Sequence, residues 1–302
     1  MKNEKHIPVL LKEVVDLLDL QEGDVVVDGT INRAGHAKEI CKLIGKAGTL
    51  IGIDTDQNAL DEATKNLQDS KCKVILEKEN FRNLDKVLKR NDVKKINAIL
   101  LDLGFSSNQM DDSNRGFSFQ KDEPLLMTLK EKTTEKDLTA KEIVNDWDKE
   151  NIADVIYGYG EETFSRQIAQ KIVELRKEKP IETTQDLVAI IEQAVPNWYK
   201  HKKIHFATKT FQALRITVND EIGALKEVLP KAINALAENG RLAVISFHSI
   251  EDRIVKQFFK EQKEAGLGQI ITKKPITPQR AEVLENPRSR SAKLRIFKKN
   301  EN

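Results

Sequence analysis

The sequence lacks the residue patterns that mark a metal site or a disulfide-stabilised fold. Its 302 residues include two cysteines, Cys41 and Cys72, and neither belongs to a CxxC pair or lies near a histidine cluster. A zinc site needs such a cluster, and a disulfide framework is typical of small cysteine-rich secreted chains. We therefore expect no bound metal, no disulfide and two small buried cysteine side chains.

Long apolar runs are also missing. No segment approaches the ~18 consecutive apolar residues of a membrane-spanning helix. The polar start from Met1 to His6 is not followed by the apolar segment of a signal peptide. Internal repeats and low-complexity linkers are absent as well. These absences predict a cytoplasmic protein without a membrane partner.

An excess of charge of one sign is missing from the chain as a whole. The 50 basic and 48 acidic side chains give a net charge of +2, which by itself predicts no polyanionic partner. The distribution is uneven, because nine Lys or Arg stand against two Glu between Thr272 and Lys299. That basic end is a candidate phosphate contact, and a solvated tail is the alternative.

The first hundred residues alternate short β-rich segments with helical patterns, which predicts a parallel α/β sheet. Ala37, Ile40, Cys41 and Ile44 recur at helical spacing, and a second helix is expected behind an Asp56 cap. The strands are expected at 25–28, 49–54, 73–76 and 98–102.

After Leu103 the pattern changes to long helical segments. The first opens with a capping box from Thr139 to Glu142, and further helices are expected at 164–177 and 184–194. Strand character returns at 241–247, behind a helix that we expect to end at Gly240. We therefore predict a sheet domain in two parts, 1–106 and 215–302, interrupted by a helical subdomain at 107–214.

The loop from Asp28 to His36 lies where a doubly wound sheet binds its ligand, beyond a strand and ahead of a helix. Asp54 ends the next strand and is placed to accept hydrogen bonds from ribose hydroxyls, although helix capping is an alternative role. The loop has no GxGxxG motif, which argues against a dehydrogenase.

Seven stretches resemble the MraW family of ribosomal RNA small-subunit methyltransferases and keep the order they have in that family. The resemblance implies a Rossmann-like, S-adenosylmethionine-dependent methyltransferase fold with an inserted helical subdomain. It also implies that the enzyme methylates N4 of a cytidine in small-subunit ribosomal RNA. The stretches are HIPVLLKE (6–13), LDLGFSS (101–107), RGFSF (115–119), YGEE (159–162), TKTFQALR (208–215), SFHSIEDR (246–253) and NPRSRSAKLR (286–295).

The resemblance further implies which residues bind the methyl donor. The family uses the first loop, the acid ending the second strand, the aromatic after the third, the acid ending the fourth and a nearby glutamine. Taken alone, Phe81 would be a core residue, and His36 and Asp102 could open a helix or cap a turn. The matching residues here are Ala34, Gly35, His36, Asp54, Phe81, Asp102 and Gln109.

Two target atoms of cytosine require different chemistry. Methylation at C5 needs a thiolate nucleophile, but Cys41 lies in a helical pattern and Cys72 at the approach to a buried strand. Methylation of the exocyclic amine instead needs an acceptor for its N–H, and Asp102 is our candidate for that catalytic role.

The segment from Ser246 to Arg253 contains the residue types of a hydrolase triad. Ser246, His248 and Asp252 are crowded into one short stretch, however, and no GxSxG motif accompanies them. We expect this segment to be a turn at the same sheet edge, near the incoming base.

The resemblance implies an RNA partner, with small-subunit ribosomal RNA bound within an assembled or nearly assembled subunit. It leaves a homodimer open. In the basic end, four residues are candidate RNA contacts on or near a last strand. They are Arg288, Arg290, Lys293 and Arg295.

The chain departs from the family pattern in two places. The family has glycines where this chain has Asn32 and Ala34, and an acid and an arginine where it has Leu126 and Thr128. Asn tolerates positive φ, whereas Ala in that conformation costs on the order of 1 kcal/mol. Two hypotheses follow: an active methyltransferase with a weakened donor site, or a non-catalytic relative that binds RNA or the ribosome.

Overall fold

A seven-stranded sheet is formed by the first and last parts of the chain. The computed structural model describes residues 7–104, 114–130, 134 and 137–301. The strands are β1 Val25–Asp28, β2 Thr49–Asp54, β3 Lys73–Lys78, β4 Ile96–Asp102, β5 Leu236–Ser246, β6 Gly268–Ile270 and β7 Lys293–Lys299. Their order is β3-β2-β1-β4-β5-β7-β6. The pairs among β1 to β5 are parallel, and β7 is antiparallel to both of its neighbours.

Helices account for most of the remaining described residues, and a 3-10 turn at Phe81–Asn83 follows β3. The helices are α1 Leu11–Leu18, α2 Gly35–Ile44, α3 Gln57–Leu67, α4 Leu84–Arg90, α5 Ala140–Asp146, α6 Lys149–Gly160, α7 Ser165–Leu175, α8 Thr184–Ala194, α9 Asn197–Lys200, α10 Thr208–Asn219, α11 Glu221–Ala235, α12 Ser249–Glu264 and α13 Arg280–Glu285. No helix in the described ranges has both the length and the apolar character needed to cross a membrane.

The sheet is covered on both faces. Neighbouring residues of a strand point to opposite faces, so fully buried Val26 packs in a core with α1, α2 and α3, while Val27 packs in a core with α4, α11 and α12. Strands buried on both faces are apolar throughout, as in other parallel sheets. In β1 and β2, polar residues are therefore confined to the strand ends.

The chain divides into two compact units, 1–104 with 222–302, and 105–221. The sheet belongs to the first unit, and no described residue of the second joins it. The second unit has its own core, in which Ile143, Ile156, Ile172 and Leu187 from α5 to α8 are fully buried. The capping box of Thr139 and Glu142 and the helix at 184–194 are confirmed.

The strand predictions are confirmed for β1 and β2, and the Asp56 cap of α3 is confirmed by its bond from the Asn58 N–H. The prediction for Gly240 is wrong. α11 ends at Ala235, and Gly240 lies inside β5 next to a register shift against β4. A Cβ there would approach the carbonyl oxygens of Ala237 at 2.9 Å and Asn97 at 3.0 Å. The glycine therefore permits close backbone approach at a bulge rather than ending a helix.

The two cysteines also require a correction. Cys41 and Cys72 are buried as predicted, but they form a disulfide, with their Cα atoms 5.5 Å apart. The sequence pattern missed it because the pairing depends on how α2 packs over the sheet, not on local spacing. The bond links Cys41 in α2 to the residue that precedes β3.

In the helical unit, polar backbone contacts occupy the segment where the family has an acid and an arginine. The Leu126 carbonyl accepts the Ala140 N–H, and the Thr128 hydroxyl accepts the Lys130 N–H. Asn219 holds the same segment from α10, because its side chain accepts the Leu129 N–H and donates to the Met127 carbonyl. The segment is thus ordered without the charged pair, at the cost of a positive φ of 55° at Met127.

Candidate functional site

Three carboxyl groups meet at one edge of the sheet. Asp28, Asp54 and Asp102 are the last residues of β1, β2 and β4, which are neighbours in the sheet and run parallel. The carboxyl ends of parallel strands lie together, and this edge is where doubly wound folds bind ligands. Asp54 and Asp102 were predicted at the site, whereas Asp28 had been noted only as the start of the first loop.

The first loop is tied to all three strand ends. The Asn32 N–H donates to Asp54 Oδ2 at 3.0 Å, and the Thr30 N–H donates to Asp28 Oδ1 at 3.2 Å. The Thr30 hydroxyl accepts the Asp102 N–H at 2.7 Å. Since each strand end holds the loop through a different bond, the path of the loop is fixed before any ligand arrives.

The loop needs two residues with positive φ. Asn32 has φ 46°, and Ala34, which precedes α2 and is 1% exposed, has φ 61°. Glycine adopts this region without a Cβ clash, Asn adopts it readily, and Ala does so at a cost of about 1 kcal/mol. The two positions where the family carries glycine are therefore positions where the backbone is left-handed.

Ala34→Gly is accordingly expected to stabilise the protein by up to about 1 kcal/mol and to tighten binding of a ligand at this loop by up to about fivefold. Thermal unfolding and ligand titration measure the two effects. Ala37→Gly is the matched control, because Ala37 is buried in the interior of α2. Glycine there should destabilise by roughly 0.5–1 kcal/mol. If both variants lowered the free energy of unfolding, the backbone at Ala34 would not be strained.

His36, in the first turn of α2, is buried and oriented by the backbone. Its Nε2 lies 2.9 Å from the Val9 carbonyl oxygen, an acceptor, so the proton resides on Nε2. Its Nδ1 lies 3.9 Å from Asp102 Oδ2, beyond direct hydrogen bonding. His36 therefore lies beside Asp102 and fixes the segment ahead of α1 against the first loop.

Phe81 lies close to Gly29 at the start of the first loop. A Cβ on Gly29 would come within 3.5 Å of the Phe81 Cβ, and one on Gly35 within 3.1 Å of Pro8. Phe81, partly buried, follows β3 in a 3-10 turn and so borders the same edge. Gln109 lies outside the described residues.

Burial dominates the electrostatics of the three carboxyl groups. It raises the pKa of Asp102 to about 8, and the carboxylates of Asp28 and Glu251 add to the rise. It raises the pKa of Asp28 to about 7, with Asp54 adding to the rise and hydrogen bonds from Thr30 opposing it. For Asp54, burial outweighs the backbone N–H donors of Asp56 and Asn32 and raises the pKa to about 6.

Asp102 Oδ1 is buried and has no hydrogen-bond partner among the described residues. A buried, unpaired carboxylate oxygen is costly unless a ligand supplies the missing donor or charge. Together with the raised pKa values, this means that the site lacks positive charge. A cationic ligand that also presents hydroxyl donors would satisfy it.

The segment after β5 forms the start of α12 and not a hydrolase triad. His248 caps α12 through a capping box with Glu251, whose carboxylate accepts the Phe247 N–H at 2.9 Å. Asp252 instead accepts hydrogen bonds from Arg295 at 2.6 and 3.2 Å. Glu251, which raises the pKa of Asp102, was not singled out from the sequence, since a capping glutamate is usually structural.

The four basic residues predicted to contact RNA fall into two pairs. Arg288 and Arg290 are exposed in a 3-10 turn ahead of β7. Lys293 and Arg295 are on β7, and both lie within ion-pair distance of Asp252, at 3.4 and 2.6 Å. Arg295 is only 6% exposed, so its charge is already neutralised inside the fold.

Comparison with known protein families shows which family the chain belongs to. Residues 3–300 match the model of the MraW methylase family. The chain belongs to this family. The assignment confirms the predicted family and the predicted fold class, a Rossmann-like α/β methyltransferase fold with a helical insert. The sequence stretches identified above therefore lie in a member of the MraW methylase family, with Asp54 and Asp102 at the ends of β2 and β4, on either side of β1.

Two known proteins are similar to this member of the MraW methylase family over nearly the full length of both chains. Ribosomal RNA small subunit methyltransferase H of Sulfurihydrogenibium sp. is 48% identical, covering 97% of this chain and 98% of the relative. The protein of the same name from Clostridium botulinum (strain Kyoto / Type A2) is 45% identical, covering 98% and 99%. A solved rRNA methylase from Streptococcus thermophilus is 12% identical, with a TM-score of 0.44, covering 96% of this chain and 94% of that one.

Proposed function

We propose that this chain transfers a methyl group from S-adenosylmethionine to N4 of a cytidine in small-subunit ribosomal RNA. The match to the MraW methylase family over residues 3–300 carries the proposal. Relatives at 45 and 48% identity bear the name ribosomal RNA small subunit methyltransferase H. The carboxyl-rich sheet edge supports it independently, through its fit to the methyl donor.

The donor set of the site fits S-adenosylmethionine. The donor carries a sulfonium and an ammonium group, which would supply the positive charge that Asp28 and Asp102 lack. Its ribose hydroxyls would donate to Asp54, whose pKa of about 6 still leaves the carboxyl mostly ionised, and so able to accept, at neutral pH. The residues proposed to hold it are Ala34, Gly35, His36, Asp54, Phe81, Asp102 and Gln109.

When bound, the donor supplies an electrophilic methyl group, and the chain supplies acceptor orientation. We assign to Asp102 the role of accepting an N–H hydrogen bond from the exocyclic amine, which directs the nitrogen lone pair and lets the proton leave. The only cysteines, Cys41 and Cys72, are paired and buried, so neither offers the thiolate that C5 methylation needs. The protein chemistry therefore favours N4 over C5.

The same proposal gives roles to the rest of the chain. Residues 1–106 and 215–302 would form the methyltransferase domain, and 107–214 the inserted subdomain. Exposed Arg288 and Arg290 would contact phosphates, whereas Lys293 and Arg295 would act through Asp252 by stiffening β7. A cytoplasmic location and a substrate within an assembled or nearly assembled subunit belong to this proposal too, and a homodimer stays open.

Donor binding is expected to release protons. The donor-free carboxyls have pKa values of about 6 to 8, and a bound cation lowers them, so roughly one proton should leave per donor near pH 7. Affinity should then rise as pH increases from 6 to 8. Calorimetry in phosphate and Tris, which differ in ionisation enthalpy, counts the protons. Heats that are identical in both buffers would mean that no cation meets these carboxyls.

The activity test uses radiolabelled donor, purified protein and small subunits from cells that lack the endogenous enzyme, followed by nucleoside analysis. N4-methylcytidine supports the proposal, and 5-methylcytidine contradicts the acceptor chemistry. Donor binding without methyl transfer would favour the hypothesis of a non-catalytic relative that binds RNA or the ribosome. No donor binding at millimolar concentration would contradict the proposal that the protein is a methyltransferase. Binding of NAD in place of the donor would revive the dehydrogenase alternative.

A further inference from the structure

An exposed tryptophan lies beside a run of lysines in the helical unit. Trp198, in α9, is 60% exposed. Single exposed apolar residues are ordinary on protein surfaces, so Trp198 alone indicates little. Its neighbours make the difference, because residues 197–205 contain three lysines, two histidines and no acid, and 201–205 are all exposed.

The indole is held in place by buried chemistry. The next residue, Tyr199, is 6% exposed, and its hydroxyl donates to Glu162 Oε2 at 2.5 Å. Glu162 is itself fully buried and also accepts the Phe164 N–H at 2.9 Å. The Phe164 ring then meets both aromatic rings edge-on, with centroids 5.9 Å from Trp198 and 4.9 Å from Tyr199. Trp198 is thus a preformed platform, which lowers the entropy cost of stacking a ligand on it.

Two of the three lysines around the platform, Lys202 and Lys203, have no carboxylate partner among the described residues. Lys202 Nζ lies over the Trp198 and Tyr199 rings, 4.8 and 4.7 Å from their centroids. Lys203 has no acidic partner among the residues that the structure describes. The third, Lys200, has Nζ 3.6 Å from a carboxylate oxygen of Glu192. The platform therefore presents an aromatic surface together with at least two cations.

We propose that Trp198, Lys202 and Lys203 form an RNA-contact surface on the helical unit, where an unpaired base stacks on the exposed part of the indole that Lys202 does not cover and the lysines neutralise flanking phosphates. Aromatic platforms with basic neighbours bind single-stranded RNA in this way. A protein partner fits less well, because lysine is depleted in protein interfaces while it is used against phosphates. The inference rests on the proposed RNA substrate, and it adds a contact separate from Arg288 and Arg290.

Affinity for a protein-free transcript of small-subunit ribosomal RNA tests the surface. Trp198→Ala should raise the Kd about tenfold or more, and Trp198→Phe, which keeps an aromatic face, should stay within about threefold of wild type. The Lys202→Ala, Lys203→Ala double variant should flatten the dependence of log Kd on log salt by about one to two units.

A lysine pair elsewhere in the unit is the control for total charge, although one member, Lys179, is also ion-paired with Asp186 at 3.2 Å. Lys177 and Lys179 precede α8, whereas Trp198 follows it, and an 11-residue helix separates the two sites by roughly 16 Å. Their double alanine variant should bind RNA with less than a threefold change. An equal loss of RNA affinity in both double variants would show that the effect comes from the total charge of the protein, and it would overturn the proposal.

Fluorescence gives a direct readout of stacking. The chain has two tryptophans, so Trp147→Phe leaves Trp198 as the reporter, and RNA should quench its emission. Quenching with the affinity of binding supports the proposal, whereas saturated binding without quenching overturns it.

Failure of this proposal is distinguishable from failure of the proposed function. Wild-type methyl transfer together with wild-type RNA affinity in Trp198→Ala would remove the surface and leave the activity. RNA binding that depends on Trp198, in a protein that transfers no methyl group, would support the surface and contradict the proposed function. Loss of affinity only for the assembled subunit, and not for the transcript, would assign the surface to a ribosomal protein and overturn the RNA contact.

Discussion

Asp102→Asn is expected to lower methyl transfer at saturating donor and RNA by about 10²- to 10⁴-fold, the range of a lost acid–base contribution. The reason is that asparagine cannot take part in removing the amine proton, although it keeps the size of the side chain. Single-turnover transfer of labelled methyl groups measures the loss. A wild-type rate with only weaker donor binding would limit Asp102 to a donor contact.

The same variant should make the donor-free protein more stable above neutral pH. In the fold, Asp102 holds its proton up to a pKa of about 8, whereas the unfolded chain releases it near 3.8. Because the folded state binds more protons between these values, its stability falls as pH rises through them. Asparagine removes that loss, so the melting temperature at pH 8 should rise by a few degrees.

Asp252→Asn is the matched control for stability. Burial acts to raise the pKa of Asp252, but its hydrogen bond and ion pairs with Arg295 and Lys293 outweigh burial and lower it. The ionised form thus stabilises the fold above the unfolded pKa, and this contribution is lost as pH falls. Asparagine at position 252 should therefore lower the melting temperature at neutral pH. A higher melting temperature for Asp102→Asn and a lower one for Asp252→Asn would show that the ionised carboxylate destabilises the fold at position 102 and stabilises it at position 252.

Asp54→Ala should raise the donor Kd by about 10- to 100-fold, which is the effect of removing hydrogen bonds to a charged acceptor. The loss has two parts, because Asp54 is proposed to hold the ribose and also anchors the first loop through the Asn32 N–H. Calorimetric titration gives the Kd, and RNA affinity should change less than threefold. Asp54→Asn should be intermediate, since its amide oxygen can still accept one bond.

Asp56→Ala separates donor binding from helix stability in the same turn. Asp56 caps α3 by accepting the Asn58 N–H at 2.9 Å, so alanine should cost about 1 kcal/mol of stability. Donor affinity should hardly change. Comparable losses of donor affinity at positions 54 and 56 would show that Asp54 acts only through the fold.

Local patterns predicted the elements that local forces determine. The strands β1 and β2, the helix α8 and the Asp56 cap are set by apolar runs and capping side chains, which the sequence displays directly. The prediction that a helix ends at Gly240 was wrong because glycine is favoured both at the end of a helix and at a bulge in a strand. Only the pairing of β5 with β4 distinguishes them.

The candidate site was predictable in its positions and not in its electrostatics. Strand periodicity locates Asp54 and Asp102, and the resemblance gives them roles. The raised pKa values depend on burial and on the proximity of Asp28 and Glu251, which come from distant parts of the sequence. For the same reason the pairing of Arg295 with Asp252 could not be seen in a basic sequence run.

The order of strands has a consequence for how the chain reaches its native state. β4 pairs with β5, and residues 96 and 236 become partners only after the whole helical unit between them has been made. Closing so long a loop costs entropy that grows with its length, and a helical unit that folds first shortens the free chain. During synthesis, the N-terminal strands β1 to β4 must therefore wait with an unpaired edge at β4 until β5 emerges. During that interval the unpaired edge of β4 is a site at which another chain could pair and start aggregation.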